Sequence, residues 1–315
     1  MATAVGENPT IEELLEIIEQ NQNQSQTDTS SNGSPAPVLS DSDFKDLTDD
    51  DDDENLNTDE LEGFSGGLRA LDGNDTITGS LSDEAMNGNL GFDSLLGGSG
   101  NDTIRGGQNN DRIFGENGND IVNGNRGDDF VVGGNGNDIV RGGQDDDFLI
   151  GGEGQDTLIG DFGTDYMNGN DGDDLFVLRT ETAELNAKSA DWIIDFDPSD
   201  DSIGLTGGLD DNDLTFETMT FDLNNDPAIA KITLELNNEM GFIQNFPGND
   251  ISANTGITTE TLDPNGDGVI EGVLIRNNDE DSTFFNTVLG VVLNVTEADI
   301  NNQFITVPDS VLSMG

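Results

Sequence analysis

The chain has 315 residues, of which 66 are acidic and 10 are basic, so its formal net charge at neutral pH is −56. A nucleic-acid backbone or an anionic membrane surface would repel such a chain, which excludes both as partners. The absence of cysteine and histidine excludes a disulfide framework, a histidine-dependent catalytic triad and an HExxH zinc site. No apolar run approaches the roughly 18 residues needed to span a bilayer, so we expect no membrane insertion.

The N-terminal segment, residues 1–62, is predicted to be an acidic and mostly disordered tail with one short helix. A capping box at Thr10–Glu13 is followed by apolar residues on one helical face, which predicts a helix over about residues 11–20. This helix is either a docking peptide or a locally helical tail without a fixed partner. Residues 21–62 offer few side chains to bury. Their acidic run, Asp49–Glu54, is either a weak calcium site or a solvated spacer.

The central part of the chain, from Ala70 to Val177, repeats a nine-residue pattern twelve times without an insertion or deletion. We number the positions of each repeat from one to nine, as in Gly97–Arg105 (GGSGNDTIR). The first position is glycine in eleven consecutive repeats, and the eighth is apolar in all twelve. The sixth position is Glu84 in the second repeat and aspartate in the other eleven, namely Asp75, Asp93, Asp102, Asp111, Asp120, Asp129, Asp138, Asp147, Asp156, Asp165 and Asp174. A register this strict indicates a stacked repeat architecture and not a series of independent turns.

Stacking is required because a single repeat cannot bury its one apolar side chain alone. A glycine-rich turn of six residues followed by three extended residues predicts short strands that lie on alternate sides of a flattened coil. Two repeats complete one turn, so twelve repeats predict a parallel all-β roll of six turns, about 29 Å long at a strand spacing of about 4.8 Å. Asn109 and Asp145 stand at the fourth position, where glycine is the rule, and both residue types tolerate positive φ.

The nonapeptide GGxGxDxUx resembles the hemolysin-type calcium-binding repeat of the RTX proteins. The resemblance implies a Ca²⁺ ion between loops eighteen residues apart, each loop supplying main-chain carbonyls and one aspartate. The implied pairs on one edge are Asp93 with Asp111, Asp111 with Asp129, Asp129 with Asp147 and Asp147 with Asp165. On the other edge they are Asp102 with Asp120, Asp120 with Asp138, Asp138 with Asp156 and Asp156 with Asp174. The implied glycine ligands in the cleanest copies are Gly97, Gly100, Gly133, Gly136, Gly151 and Gly154.

The second repeat departs from this pattern, because Ser82 replaces the fourth-position glycine and Glu84 replaces the aspartate. We therefore do not expect its loop to bind an ion as the others do. Calcium itself suits the remaining loops because it takes six to eight oxygen ligands in flexible geometry.

An apolar strip is predicted on one outer face of the roll. Residues eighteen apart lie above one another, so Phe130, Phe148 and Tyr166 stack at the seventh position, and Phe114 extends the same face from the ninth. Such a strip predicts a contact surface. It is either a site for a cell-surface partner or self-association, or a surface on which the chain's own C-terminal region packs.

The C-terminal region, residues 178–315, is rich in strand-forming residues. Strands are predicted at 191–196, 228–236, 269–275 and 284–295. The run DWIIDFDPSDDSIGLTGGL resembles the segment that caps the roll in RTX exoproteins, and the remainder is similar to tails of cyanobacterial exoproteins. A cap is needed because the last turn would otherwise expose its edge and core.

One further calcium loop is suggested by Asp263, Asn265, Asp267 and Gly268, which match the opening of an EF-hand. The twelfth position of that loop is Leu274 where glutamate is expected, so the segment is either a calcium loop or an Asx-rich turn.

The leading interpretation is a secreted, non-catalytic calcium-binding protein with a structural, adhesive or cell-surface role. The last residues, 308–315, loosely resemble the uncleaved signals of type I export, and calcium is scarce in cytoplasm and abundant outside cells. The alternative is the calcium module of an RTX exoenzyme or toxin. Related families include enzymes, but a substantial catalytic domain would have to fit before residue 70, in a segment that is mostly polar.

Calcium binding should supply the folding free energy of the central block, residues 63–177. One apolar side chain per nine residues cannot offset the ordering of so many glycines, so we expect the metal-free block to be unfolded. Circular dichroism with and without a chelator measures this. A β-type signal that a chelator leaves unchanged would contradict it.

Overall fold

A computed structural model describes residues 43–57, 61–179, 190–222, 262, 268–279, 286–301 and 303–307. These residues are almost entirely β-structure, with a 3₁₀ turn at Asp211–Asp213 and a one-turn helix at Glu297–Ile300. Among them, no helix has the length and apolarity required to cross a membrane. The helix predicted over 11–20, the strand predicted over 228–236, the loop ligands Asp263, Asn265 and Asp267, and the segment 308–315 lie outside the described residues.

The chain winds into a parallel β-solenoid of about six turns across residues 68–177, as the repeat predicts. Odd-numbered strands up to β17 form one sheet and end with β21, whereas even-numbered strands up to β16 form the other and continue through β20, β19 and β18. The strands are β1 (Phe44–Asp46), β2 (Asp53–Asn55), β3 (Gly67–Arg69), β4 (Thr76–Thr78), β5 (Ala85–Leu90), β6 (Ser94–Ser99), β7 (Thr103–Gln108), β8 (Arg112–Asn117), β9 (Ile121–Arg126), β10 (Phe130–Asn135), β11 (Ile139–Gln144), β12 (Phe148–Glu153), β13 (Thr157–Phe162), β14 (Tyr166–Asp171), β15 (Leu175–Leu178), β16 (Asp191–Ile193), β17 (Ser202–Leu205), β18 (Leu214–Asp222), β19 (Val269–Asn277), β20 (Val288–Leu293) and β21 (Phe304–Thr306).

The core of the roll consists of the eighth-position side chains, which stack in register. Val131 pairs with Ile113 and Leu149 in the neighbouring strands, and all three are fully buried. Most repeat strands contain six residues, so the predicted length of three was too short. Each strand continues through the first three positions of the following repeat, and the second and third of these also pair between turns, as in Gly134 with Gly152.

Positive φ angles recur at two positions of the repeat. Asn109 and Asp145, at the fourth position, have φ of 77° and 80°, which confirms the prediction for them. The second position shares this conformation, and the non-glycine examples are Leu71, Asn89, Glu116, Asn125, Asp161 and Asn170. Glu116 has no local reason to prefer such an angle, so the pairing of strands on both sides imposes it.

The N-terminal acidic run extends the roll by one turn, so the expectation of disorder is wrong for residues 43–57. Strand β1 pairs in parallel with β3 and places Lys45 opposite Leu68, and β2 pairs with β4 and places Glu54 opposite Ile77. Lys45 Nζ and Glu54 Oε1 form an ion pair of 2.8 Å. The charged pair therefore lies beyond the first apolar layer of the core, Leu68 and Ile77. Polar residues are expected at this place, because the end of a solenoid faces solvent.

The C-terminal region caps the other end of the roll. Strands β16 and β17 pair in parallel with β14 and β15, and β20 and β21 add to them in turn. Strands β18, β19 and β20 then pair antiparallel and extend one sheet beyond the roll. The segment that begins with Asp191 therefore continues both sheets after the nonapeptide period has ended.

The apolar strip is covered by this C-terminal region. Phe114, Phe130, Phe148 and Tyr166 are only 2 to 5 % exposed and belong to one cluster with Trp192, Phe221, Ile270, Leu274 and Val291. Adjacent rings along the strip lie 5.8 to 6.3 Å apart as far as Trp192. The strip is therefore an internal packing surface, and its interpretation as an exposed site for a cell-surface partner or self-association is wrong.

Replacing Phe148 with alanine should destabilise the calcium-loaded protein by about 3 to 5 kcal/mol, the usual cost of removing a buried aromatic ring. The measurement is urea unfolding at a fixed calcium concentration. Phe92→Ala is the control, because the Phe92 side chain is 59 % exposed and its loss should change stability little. Equal effects of the two substitutions would contradict burial of the strip.

Candidate metal centre

The sixth-position aspartates form two columns, one along each edge of the roll. In the first ten repeats, the backbone N–H of the sixth-position residue donates to Oδ1 of the aspartate eighteen residues later, over 2.7 to 2.9 Å. The structure thereby places next to one another all the aspartates that the sequence paired. The first column contains Asp75, Asp93, Asp111, Asp129, Asp147 and Asp165; the second contains Asp102, Asp120, Asp138, Asp156 and Asp174.

The second oxygen of each of these carboxylates, Oδ2, is buried and has no hydrogen-bond partner. This holds for all eleven aspartates of both columns, none of which is more than 3 % exposed. A buried carboxylate oxygen without a partner is strongly disfavoured unless a proton or a cation compensates it. Eleven such oxygens in two regular rows therefore indicate rows of cation ligands.

The first-position glycines leave room beside these free oxygens. A Cβ atom on Gly133 would lie 2.5 Å from Asp138 Oδ2 and 2.8 Å from the carbonyl oxygen of Gly151. On Gly97 it would lie 2.5 Å from Asp102 Oδ2 and 2.6 Å from a carbonyl oxygen of the next turn. The absence of a side chain thus keeps open a space between a carboxylate and a main-chain carbonyl.

The fourth-position glycines Gly100, Gly136 and Gly154 allow neighbouring turns of the roll to approach closely. A Cβ on any of them would overlap the carbonyl group of the residue eighteen positions earlier. Whether their own carbonyl groups bind a cation stays a prediction.

The donor set fits a hard cation such as Ca²⁺. In the part of the chain that the structure describes, no three acidic side chains gather in one cluster that could hold a metal. Each loop supplies one carboxylate, so main-chain carbonyls or water would have to supply the remaining oxygen ligands. Calcium accepts such oxygen-only sets at about 2.3 to 2.6 Å.

Electrostatics show the cost of these columns in the absence of a cation. Burial, opposed by the N–H donors and increased by neighbouring carboxylates, raises the pKa of Asp138 to about 8 and that of Asp156 to about 9. Burial and the charges of adjacent aspartates raise the pKa of Asp147 and Asp165 as well. A metal-free roll at neutral pH would therefore have to hold protons on several of these groups.

The loop of the second repeat differs from the others. Ser80 donates its backbone N–H to Glu84 Oε2 over 2.9 Å and its hydroxyl to Oε1 over 2.5 Å. Both carboxylate oxygens are thus engaged within the loop itself. This geometry supports the expectation that this loop does not hold an ion in the same way as the others.

A second ladder, which the sequence interpretation missed, runs beside each column at the fifth position. The backbone N–H of Asn119 donates to Asn101 Oδ1 over 2.8 Å, and that of Asn137 donates to Asn119 Oδ1 over 2.9 Å. Asparagine or aspartate stands at the fifth position in nine of the twelve repeats. This enrichment is the sequence signal for the second ladder. The fifth-position side chains accept hydrogen bonds from exposed backbone N–H groups of the loops.

Residues outside the repeats also join the columns. Asp52, from the acidic run, donates its N–H to Asp75 Oδ1 over 2.7 Å. At the other end, Asp191 and Asp201 accept the N–H groups of Asp165 and Asp174. Their spacing from the last repeats is 26 and 27 residues, so the nine-residue period does not reveal them.

The repeat region of the chain matches one known protein family. The family described as RTX calcium-binding nonapeptide repeat (4 copies) matches six overlapping stretches, residues 68–95, 87–122, 96–131, 114–149, 123–158 and 141–176. The matched region contains both aspartate columns. No curated protein and no solved structure matches the chain at a significant level.

The metal-free roll should become less stable as the pH rises. The folded-state pKa of Asp138 is about 8 against an ordinary value of 3.8. The Asp138 carboxyl therefore ionises at a lower pH in the unfolded chain than in the roll. As a result, the stability of the roll should fall progressively from about pH 4 to about pH 8. In calcium the dependence should reverse, because the cation competes with protons, and less calcium should be needed at higher pH.

Circular dichroism between about pH 5 and about pH 8, in chelator and across a calcium titration, measures both trends. A metal-free β signal that increases with pH, or a calcium midpoint that does not change, would be inconsistent with carboxylate ligands.

Proposed function

Because the chain is a repeat protein of the RTX type, with calcium-binding nonapeptide repeats, we propose that it is an exported protein whose roll folds as calcium enters the two aspartate columns. In this proposal, calcium serves as a structural ligand and the folded roll displays or anchors a surface outside the cell. Its role is structural, adhesive or cell-surface, without catalysis.

The observation that carries the proposal is the set of eleven buried, unpartnered Oδ2 atoms. A structural role for the aspartates alone would be complete with the bonds that Oδ1 accepts. The second oxygen contributes nothing to the fold unless a proton or a cation is bound. At neutral pH, calcium neutralises the carboxylates and completes their coordination, so its binding free energy becomes folding free energy.

Export is supported by the same dependence. The calcium concentration is low in cytoplasm and high outside cells, so the chain would remain unfolded and suitable for passage through type I export machinery until it leaves the cell. Cell fractionation tests this directly. If the folded chain were found only inside the producing cells, the proposal of export would be refuted.

The alternative, a module of an exoenzyme, would need a pocket with a carboxylate pair outside the columns. One cavity of about 420 Å³ near the N-terminal end of the roll is lined by Glu62, Asp83 and Glu84. Asp83 accepts the N–H of Asn101, and Glu84 accepts two bonds from Ser80. Two of the three carboxylates are thus engaged in holding loops together, which supports a non-catalytic role.

Asp138→Asn should remove one or two of the bound calcium ions. The amide keeps the Oδ1 acceptor for the N–H of Asp120 but loses the charge, and Asp138 lies between two neighbouring loops of its column. Each lost site removes about 2.7 kcal/mol of stability at a calcium concentration of 100 times its Kd. Native mass spectrometry counts the ions, and calcium-dependent unfolding measures the stability.

Asp128→Asn is the matched control, since Asp128 is an exposed fifth-position residue that also accepts a backbone N–H. It should leave the ion count unchanged. An unchanged count in Asp138→Asn, or an equal loss in both variants, would overturn the assignment of the sixth-position carboxylates as ligands.

A further inference from the structure

Five asparagines of the roll are followed directly by glycine, namely Asn87, Asn117, Asn123, Asn135 and Asn168. In an unfolded chain, the main-chain nitrogen of such a glycine attacks Cγ of the asparagine, which forms a five-membered succinimide ring and releases the side-chain nitrogen as ammonia. Water then opens the ring at either of its carbonyl groups. One product is aspartate, and the other is isoaspartate, in which the main chain is one methylene group longer. Glycine favours this reaction because it has no side chain to hinder the attack.

The roll itself requires the glycine that follows Asn117 and Asn135. Gly118 and Gly136 stand at the fourth position, with φ of 138° and 136°. A Cβ atom on either residue would overlap a main-chain carbonyl group of the preceding turn. A larger residue would therefore force the turns apart, so the fold retains a reactive pair at both places.

The folded roll holds the reacting atoms of these two pairs. The N–H of Gly118 donates to the carbonyl of Asn135 over 2.9 Å, and the N–H of Gly136 donates to the carbonyl of Glu153 over 2.7 Å. The side chain of Asn117 accepts a hydrogen bond at Oδ1 from Asn135 Nδ2 over 2.9 Å. The attacking nitrogen is thus engaged with the next turn, and ring closure requires a local opening of the roll.

The pairs at the ninth position are held by comparable bonds. Asn123 Oδ1 accepts the N–H of Asn125 over 3.0 Å. Gly169, which follows Asn168, donates its N–H to Asp195 Oδ1 over 2.9 Å. The first bond holds the amide that would be attacked, and the second holds the nitrogen that would attack.

An isoaspartate at position 117 or 135 would disturb the second aspartate column. Asn117 and Asn135 pair with one another in neighbouring strands, and each precedes a sixth-position aspartate, Asp120 or Asp138, by three residues. One additional methylene group between the strand and the loop would shift that carboxylate relative to the adjacent turns. A chain modified in this way should bind fewer calcium ions.

We propose that the Asn–Gly pairs of the roll, above all Asn117–Gly118 and Asn135–Gly136, are modification sites that calcium protects. The metal-free chain converts them to isoaspartate and aspartate, whereas the calcium-loaded roll keeps them intact. A chain that remains in a compartment with little calcium therefore loses its ability to form the roll as time passes. The inference rests on the calcium-dependent folding in the proposed function.

The test incubates the full chain at mildly alkaline pH in chelator, in calcium, and in calcium with urea. Peptide mass spectrometry measures the conversion at each pair, and circular dichroism measures folding in the same samples. Conversion at both pairs should be at least about tenfold slower in calcium than in chelator, because it then depends on the small population of opened loops. Urea should restore the fast reaction despite the calcium, which separates an effect of folding from an effect of the ion.

The two ideas fail in different ways. Equal rates in chelator and in calcium, with a folded roll only in calcium, would overturn the inference and leave the proposed function intact. A metal-free chain that stays folded and converts slowly would instead refute calcium-dependent folding, and the inference with it.

A double variant, Asn117→Ser with Asn135→Ser, tests the consequence for the column. Serine suits the third position, because Ser99 stands there in a neighbouring repeat and pairs with Asn117. After long incubation in chelator, return to calcium should restore a smaller folded fraction and fewer bound ions in the wild type than in the variant. A loss of refolding as large in the variant as in the wild type would contradict the role of these two pairs.

Discussion

Two rows of buried negative charge are the constraint on which the rest of this structure depends. Every sixth-position aspartate gives one oxygen to a backbone N–H of the preceding turn and keeps the other buried without a partner. Glycines at the first position leave space beside that oxygen, and the turns of the roll bring carbonyl groups to the same space. Inside the roll each repeat contributes only its eighth-position side chain to the core, so we expect the compensation of these charges to decide whether the roll is stable.

A single spacing of eighteen residues serves both the core and the columns. Val131 packs between Ile113 and Leu149, and Asp129 bonds to its neighbours in the column with the same spacing. An insertion in one repeat would move its apolar residue out of the core and its aspartate out of the column together. This shared register accounts for twelve repeats without an insertion or deletion.

The two ends of the roll use different devices, and neither follows the repeat. At the N-terminal end, the charged pair Lys45 and Glu54 takes the place of apolar residues, and Asp52 continues the first column from the acidic run. At the C-terminal end, Asp191 and Asp201 continue the columns, while Trp192 joins the aromatic strip that the later strands cover. Both ends thereby present hydrogen-bond partners to the last turns, whose edges would otherwise be open.

The sequence by itself determined the roll, its eighth-position core, the pairing of the aspartates and the positive φ of Asn109 and Asp145, because all of these repeat at a fixed period. The sequence also indicates the second ladder through the asparagines and aspartates at its fifth positions, although the sequence analysis did not predict it. Tertiary structure alone decided the features with irregular spacing: Asp52 lies 23 residues before Asp75, and Asp191 lies 26 residues after Asp165. It also decided that the aromatic strip faces the chain's own cap and not a partner. The physical reason is that a periodic pattern specifies contacts between equivalent positions, whereas a connection of arbitrary length acquires its contacts only once the backbone has brought its two ends together.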